Sequence, residues 1–317
     1  MSTSSFIDDA LTRHAVFLSR REGAIHKDLV PILEDMIADI ERRLMRENTD
    51  FQNVRLRALY KDLNQIITIA GKEFSEELIR ELNELAAYEA GFTQRMMTTA
   101  TSVSWDLPAA AQILAVVGNA EMTLNSGKKF VKYDVDSLLS TFDKSNKIKI
   151  RRIIRNANVR GATLSEIVKE IGEVSKQTRD NAEAVVRTAS NAINNEARKQ
   201  TYLANADVLI GEQWLSTLDT RTTAICSKRD LEIYPVGTNI RPPAHYGCRS
   251  TMKPVVNPKY TIPGLKGTRS AINGPVSNKT DFGSFLRNQP AEFQKEYFSK
   301  FPDANDRYKL FKQGGLP

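Results

Sequence analysis

The chain has 317 residues, more than one typical domain, and its 41% hydrophobic and 26% charged residues are those of a globular protein with a sizeable core. A net charge of +7 and a pI near 9.3 suggest an acidic partner, nucleic acid first, although ordinary solvated lysine and arginine give the same balance. The sequence holds no apolar run of the ~18 residues a membrane span needs and no basic-then-apolar signal peptide, and two cysteines are too few for a disulfide scaffold; the expected setting is the cytosol or a particle assembled there.

Residues 4–47 read as helix. Ile25, Leu29, Ile32, Leu33, Met36, Ile37, Ile40 and Leu44 step by three and four along one face, and Pro31 predicts a break or a helix start near Leu29 to Ile32. Asn48-Thr49-Asp50 reads as a stop and a cap. Residues 51–100 repeat the pattern through Leu59, Leu63, Ile67, Phe74, Leu78, Leu82 and Leu85, so the two helices are expected to pack antiparallel and bury their stripes on one another. Ser104 to Pro108 is a break, Ala109 to Val117 a short apolar helix, and Gly127-Lys128-Lys129 a turn.

Helix resumes at Val135 and runs into the densest basic stretch of the chain: Lys144, Lys147, Lys149, Arg151, Arg152, Arg155 and Arg160, with Ile148, Ile150, Ile153 and Ile154 interleaved. The isoleucines can bury while the cations point outward, which suits a phosphate backbone; a solvated helix face reads the same way. Without aromatic side chains for stacking, any such contact is expected to be blind to sequence. Gly161 ends this helix, and Thr163 with Glu166 fits a capping box. Thr178 is placed as the cap of a further helix from Arg179 to Leu203, rich in alanine, with Asn191, Asn194 and Asn195 expected at its surface or capping a neighbour.

The period then changes. Val208–Ile210 and Gln213–Leu218 read as strand, Ser250–Val256 as the returning strand, and the segment between them holds both cysteines and the Pro242-Pro243 doublet. Residues 257–279 read as loop, followed by helix from Asp281 to Phe298 and from Asp303 to Lys312.

Within that segment His245 and Cys248 have the x-x spacing that zinc ligands use at a turn, and Cys226 makes a third soft donor. A closed structural site needs a fourth; Thr223 cannot serve, and Asp219 or Asp230 would be unusual oxygen donors. The plainest reading is two buried thiols packed near one another, so no metal and no cofactor are expected, with zinc at Cys226, His245 and Cys248 as the alternative. A Cys–His nucleophile pair lacks a flanking signature, and the chain has no phosphate-binding GxxxxGK[ST], no GxGxxG and no HExxH. No catalytic residues are assigned. Asp219 and Arg221 are expected to bond the irregular backbone that follows them.

Taken together, Trp214, Asp219, Arg221, Thr222, Cys226, Pro242, Pro243, His245, Cys248, Arg249 and Pro254 form a pattern that resembles the bacteriophage Mu F-like minor head proteins, the phage head morphogenesis family. Members often carry Cys where this chain has Thr223, and Cys-Arg-Cys where it has Cys248-Arg249-Ser250; both departures remove potential ligands. The tail, with Leu286, Gln289-Pro290, Gln294, Leu310-Phe311 and Gly314, looks like the C-terminal pattern of many such proteins, so the resemblance spans about residues 165–317.

The resemblance implies a minor structural protein of a tailed-phage virion, assembled in the host cytoplasm, near the portal or inside the head. It would act in head assembly and in genome packaging or ejection, with the portal and other head or connector proteins as partners, and DNA contact through Lys144 to Arg160 as a separate hypothesis. The alternatives are a metal-dependent nuclease or transferase using Asp219, Cys226 and His245, and a free DNA-binding protein, although no helix-turn-helix or zinc finger is present. The fold class is α+β, mainly α: a helical domain over residues 1–160, a Mu F-like domain with a short antiparallel sheet over 161–256, and a loop and helical tail over 257–317.

Overall fold

A computed structural model describes residues 2–46, 53–125, 129–160, 162–264 and 267–315. Four long helices carry most of the chain: α1 (Thr3–Met45), α2 (Asn53–Ala100), α5 (Val135–Arg160) and α6 (Leu164–Leu203). Between α2 and α5 lie two short helices, α3 (Ala110–Leu114) and α4 (Val116–Asn119), and a hairpin of β1 (Met122–Asn125) with β2 (Phe130–Tyr133). The expected α+β, mainly α class is what the structure has. The apolar stripes read from the sequence are the core: Leu29, Leu33 and Ile40 of α1 meet Leu63, Phe74 and Leu82 of α2, and Ile150 and Ile154 of α5 and Val186 and Ile193 of α6 join the same cluster. Cross-helix pairs fix the directions. Arg43–Asp62 and His14–Glu89 set α2 antiparallel to α1, and His26 against the Arg179 carbonyl sets α6 antiparallel to α1 as well.

Several local readings are corrected. Pro31 lies inside an unbroken α1. Its ring and Lys27, the residue whose carbonyl loses its helical partner, both face solvent, while Leu29 and Leu33 stay buried, so water replaces one hydrogen bond and packing holds the helix. Thr178 caps nothing: α6 is continuous, Thr178 is buried within it, and its hydroxyl faces Asn146 of α5 at 3.5 Å. Thr163 does close the predicted capping box with Glu166. The 257–279 stretch contains a hairpin of β6 (Thr268–Ala271) with β7 (Gly274–Ser277), and the β1–β2 hairpin has no counterpart among the elements expected from sequence. The C-terminal helix divides into α8 (Phe282–Arg287) and α9 (Ala291–Ser299), followed by α10 (Ala304–Lys312). The cap at Asn48 to Asp50, the Gly127–Lys128 part of the turn and the stop at Gly161 lie outside the described residues.

One stretch in the second half of α6 is buried on every side. All residues from Thr188 to Arg198 are buried, including Asn191, Asn194 and Asn195, which the sequence placed at a surface or as caps. Asn191 Nδ2 donates to the Ser250 carbonyl at 3.0 Å, and the Met252 N–H donates to Asn195 Oδ1 at 3.1 Å. These amides tie the helix to a three-stranded antiparallel sheet, β4-β3-β5, made of β3 (Leu209–Leu215), β4 (Ile233–Tyr234) and β5 (Thr251–Val256), with α7 (Ala224–Arg229) in the intervening loop. Strand β3 pairs with β5 from Leu209↔Val256 to Leu215↔Thr251, as the returning-strand reading requires.

Where α1, α2 and α6 converge on the sheet, Glu89 is fully buried between His14, at 2.6 Å, and Arg198, which also bonds Thr251 of β5. Burial pushes His14 below its ordinary value, against the pull of Glu89. Burial also opposes charge on Glu89, but Arg198 and His14 outweigh it and hold the carboxyl below the usual range. Glu89→Gln leaves the Arg198 cation buried without its counter-charge and is expected to cost about 3–5 kcal/mol at neutral pH. Because the folded pKa of Glu89 is depressed, its contribution is complete above 4.5 and is lost as pH falls through the folded value. Urea unfolding of wild type and variant should therefore differ most near neutrality and converge in acid; a pH-independent difference would contradict the ion pair.

Candidate functional site: the loop between β3 and β5

Trp214 anchors the segment. It lies near the end of β3 with its ring fully buried against Cys226, Ala244, Cys248 and Met252. Its indole N–H donates to Ser216 Oγ at 3.0 Å, and that hydroxyl donates on to the Cys226 carbonyl at 2.7 Å. Asp230, after α7, accepts from the Ser216 N–H at 2.8 Å and receives both arms of Arg269, at 2.8 and 2.9 Å. Arg269 is buried on β6, so a hairpin read as loop supplies the cation for a buried carboxylate in the motif.

The predicted residues fall into two groups. Asp219 and Arg249 form a two-pronged ion pair at 2.6 and 2.8 Å, and Asp219 also accepts from the Arg221 N–H at 3.0 Å. Against the desolvation of its buried site, the Arg249 guanidinium holds the Asp219 carboxyl below its usual range. Thr222 bonds the Thr217 carbonyl, and the Arg221 side chain projects into solvent. This is the bracing of irregular backbone expected of Asp219, and it occupies both carboxylate oxygens.

The second group is Cys226, His245 and Cys248, whose ligand atoms lie within 4.8 Å of one another. Cys226 Sγ is 3.3 Å from His245 Nε2 and 3.7 Å from Cys248 Sγ. Both thiols are buried and not joined in a disulfide. A hydrogen bond with Cys248, added to burial, pushes the Cys226 thiol up. Against the desolvation burial imposes, bonds from Cys226 and His245 bring Cys248 down. Pro243 and Ala244 are buried before His245, and the Pro242–Pro243 peptide is cis. Gly247, at φ +65°, turns the chain so that its N–H meets Thr188 Oγ1 of α6 at 2.9 Å.

A cavity of about 210 Å³ opens beside the cysteines, with Cys226, His245, Thr223, Arg187, Arg221 and Arg249 in its wall. Asp219 is not part of that wall, so the Asp219/Cys226/His245 combination does not converge on one space.

The sequence reading missed the residues that hold the segment from outside: Arg269 on β6, Arg241 paired with buried Glu212 at 2.5 Å, and Lys300. Lys300, after α9, donates to the carbonyls of Thr220, at 2.8 Å, and Thr222, while Tyr297 reaches Ser227 at 3.2 Å. The tail thus closes over the motif. Gln294, part of the tail pattern, donates to the carbonyls of Leu286 and Gln289 at 3.1 and 2.9 Å.

The basic stretch is elsewhere, on α5. Lys144, Arg151, Arg152, Arg155 and Arg160 are exposed; Lys147 is half-buried and paired with Asp143 at 2.6 Å, Arg151 bonds Asn64, and Arg160 pairs with Glu170. Half-buried Lys149 is held below the ordinary lysine range by desolvation and by Arg152.

The site is thus a helical bundle whose last helix is clamped to a small sheet, with an ion-paired loop closed over by the C-terminal tail. Residues 148–253, about a third of the chain, match the family model described as phage Mu protein F like protein. The span opens in α5, takes in all of α6 and β3 and ends in β5, so it includes the motif from Trp214 to Arg249. Over this span the chain is similar to the phage Mu F-like proteins, as its motif residues suggested. The tail pattern lies beyond the matched span. No curated protein and no solved structure matches the chain.

Arg249→Ala removes both bonds to Asp219 and is expected to cost about 1–3 kcal/mol and to free the 219–223 loop. Trypsin should then cut after exposed Arg221 faster than in wild type under native conditions; equal cleavage rates would show that Lys300 and Thr222 hold the loop without the ion pair.

Proposed function

We propose that this protein is a minor structural component of a tailed-phage virion, placed near the portal or inside the head, acting in head assembly and in genome packaging or ejection. The observation that carries this reading is the Mu F-like match over the segment in which α6, the sheet and the Trp214–Arg249 loop are locked together. Its partners are the portal and other head or connector proteins, and it works by contact rather than catalysis. The division into a helical region (1–160), a Mu F-like region (161–256) and a tail (257–317) belongs to the same reading, with the helical region as the part that docks. Mass spectrometry of virions from a phage encoding the protein should find it at low copy, and an affinity tag on it should retrieve the portal. Recovery only from the soluble lysate, with no portal, would overturn the assignment.

Contact with the DNA backbone through α5 is a separable part of the proposal. Its support is the exposed row of Lys144, Arg152 and Arg155, which form no ion pair among the described residues, with Lys149 and Arg151 beside them. Lys147 contributes less, since Asp143 already partners it. Reversing Lys144, Arg152 and Arg155 to Glu should lower DNA affinity regardless of sequence. It should also flatten the slope of log affinity against log salt by about 2–3, because each phosphate left without its cation takes ~0.9 from that slope. An unchanged slope would remove α5 from the DNA-binding surface.

A further inference from the structure

The geometry points to a zinc site formed by Cys226, His245 and Cys248, with its fourth coordination position open to the adjoining cavity. The donor set is two sulfurs and an imidazole nitrogen, which suits a borderline-soft, tetrahedral ion. Tetrahedral zinc with bonds of about 2.3 Å to sulfur and 2.0–2.1 Å to nitrogen sets two sulfurs ~3.8 Å apart and sulfur ~3.6 Å from nitrogen. Here the sulfurs are 3.7 Å apart and Cys226 Sγ is 3.3 Å from His245 Nε2, so the donors already stand near the edges of such a tetrahedron.

The imidazole is oriented for the role. His245 Nδ1 lies 2.9 Å from the Tyr246 carbonyl, which can only accept; Nδ1 therefore carries the proton and Nε2 presents its lone pair to the sulfurs. A backbone carbonyl on the far ring nitrogen is the usual support of a metal-bound histidine. The His245-x-x-Cys248 turn is closed by the Cys248 N–H on the His245 carbonyl at 3.2 Å, and Cys226 is fixed from α7. Two thiols packed for apolar reasons alone would not require a histidine locked in this tautomer beside them.

Binding releases one proton from each thiol to solvent. Two thiolates and a neutral imidazole then balance the divalent ion, which makes the buried cluster electrically neutral. The fourth position is taken by water. On the cavity side the side chains beside Cys226 that could replace it are the hydroxyls of Ser250 and of Thr223, whose Oγ1 is buried without a hydrogen-bond partner. A hydroxyl is a poor zinc donor, so the position stays with water in the wild-type chain.

The test uses the full chain without a histidine tag, purified under reducing conditions with zinc present. About one zinc per chain is expected by elemental analysis, and cobalt in its place should give the visible bands of a tetrahedral ion with a sulfur-to-cobalt charge-transfer band. Cys248→Ser and His245→Ala should each weaken zinc binding by about tenfold or more, with circular dichroism reporting whether the variant is folded. Thr223→Cys removes no ligand and is independent of that risk: it should tighten zinc binding and intensify the cobalt charge-transfer band by adding a third sulfur. A reduced wild-type chain that holds no zinc and gives no cobalt charge transfer overturns the site. So does zinc that survives in folded Cys248→Ser and His245→Ala, and an unchanged Thr223→Cys spectrum overturns the open position.

Discussion

Glu89 is the constraint on which the arrangement of the helices depends. A carboxylate removed from water is tolerable only where cationic or hydrogen-bonding partners surround it, and here these come from three separate elements: His14 on α1, Arg198 on α6 and, through Arg198, Thr251 on β5. Apolar stripes fix which faces of the helices meet, but they tolerate sliding by a turn. A buried ion pair does not, because a shift of one turn leaves a charge uncompensated. The pair thus sets the register of the bundle and joins it to the sheet.

The same device recurs through the second half of the molecule. Glu212 takes Arg241, Asp230 takes Arg269, Asp219 takes Arg249, and Asp8 at the start of α1 takes Lys253 of β5. Each pair crosses between segments distant in sequence. The region has little regular structure to satisfy its backbone, so arginines reach across loops and give their remaining N–H groups to carbonyls: Arg241 to that of Asn195, Arg269 to those of Ser216 and Thr280. The result is a rigid loop around Trp214 with a small polar cavity at its edge. A metal at Cys226, His245 and Cys248 would add one more cross-link in the same place.

Local sequence was a good guide wherever local physics decides. The long stripes of α1 and α2, the Thr163 capping box, the period change read at Val208 and the return strand read from Ser250 all follow from side-chain spacing or a single cap, and the structure has them, with β3 over Leu209–Leu215 and β5 over Thr251–Val256. The Trp214 to Arg249 motif was legible as a unit because rare residue types cluster in it. Sequence failed as a guide where distant partners decide. Pro31 and Thr178 carry local signals for a break and a cap, and packing overrides both. The asparagines of α6 are polar residues in a helix, and nothing near them in sequence shows that β5 will cover them. The four-residue strands of the two hairpins are too short to establish a period.

The sequence by itself therefore determined the class of the fold, the faces of the helices and the family motif, because spacing, capping and residue type are properties of neighbours along the chain. Only the tertiary structure decided how that motif is used. It gave the Asp219 carboxylate wholly to Arg249 and the loop backbone, brought Arg269 and Lys300 from the tail to seal the segment, and set Cys226 beside His245 and Cys248 across 19 and 22 residues of chain. Those outcomes depend on how far apart atoms stand after the chain has folded back on itself, and side-chain spacing along the sequence carries no measure of that distance.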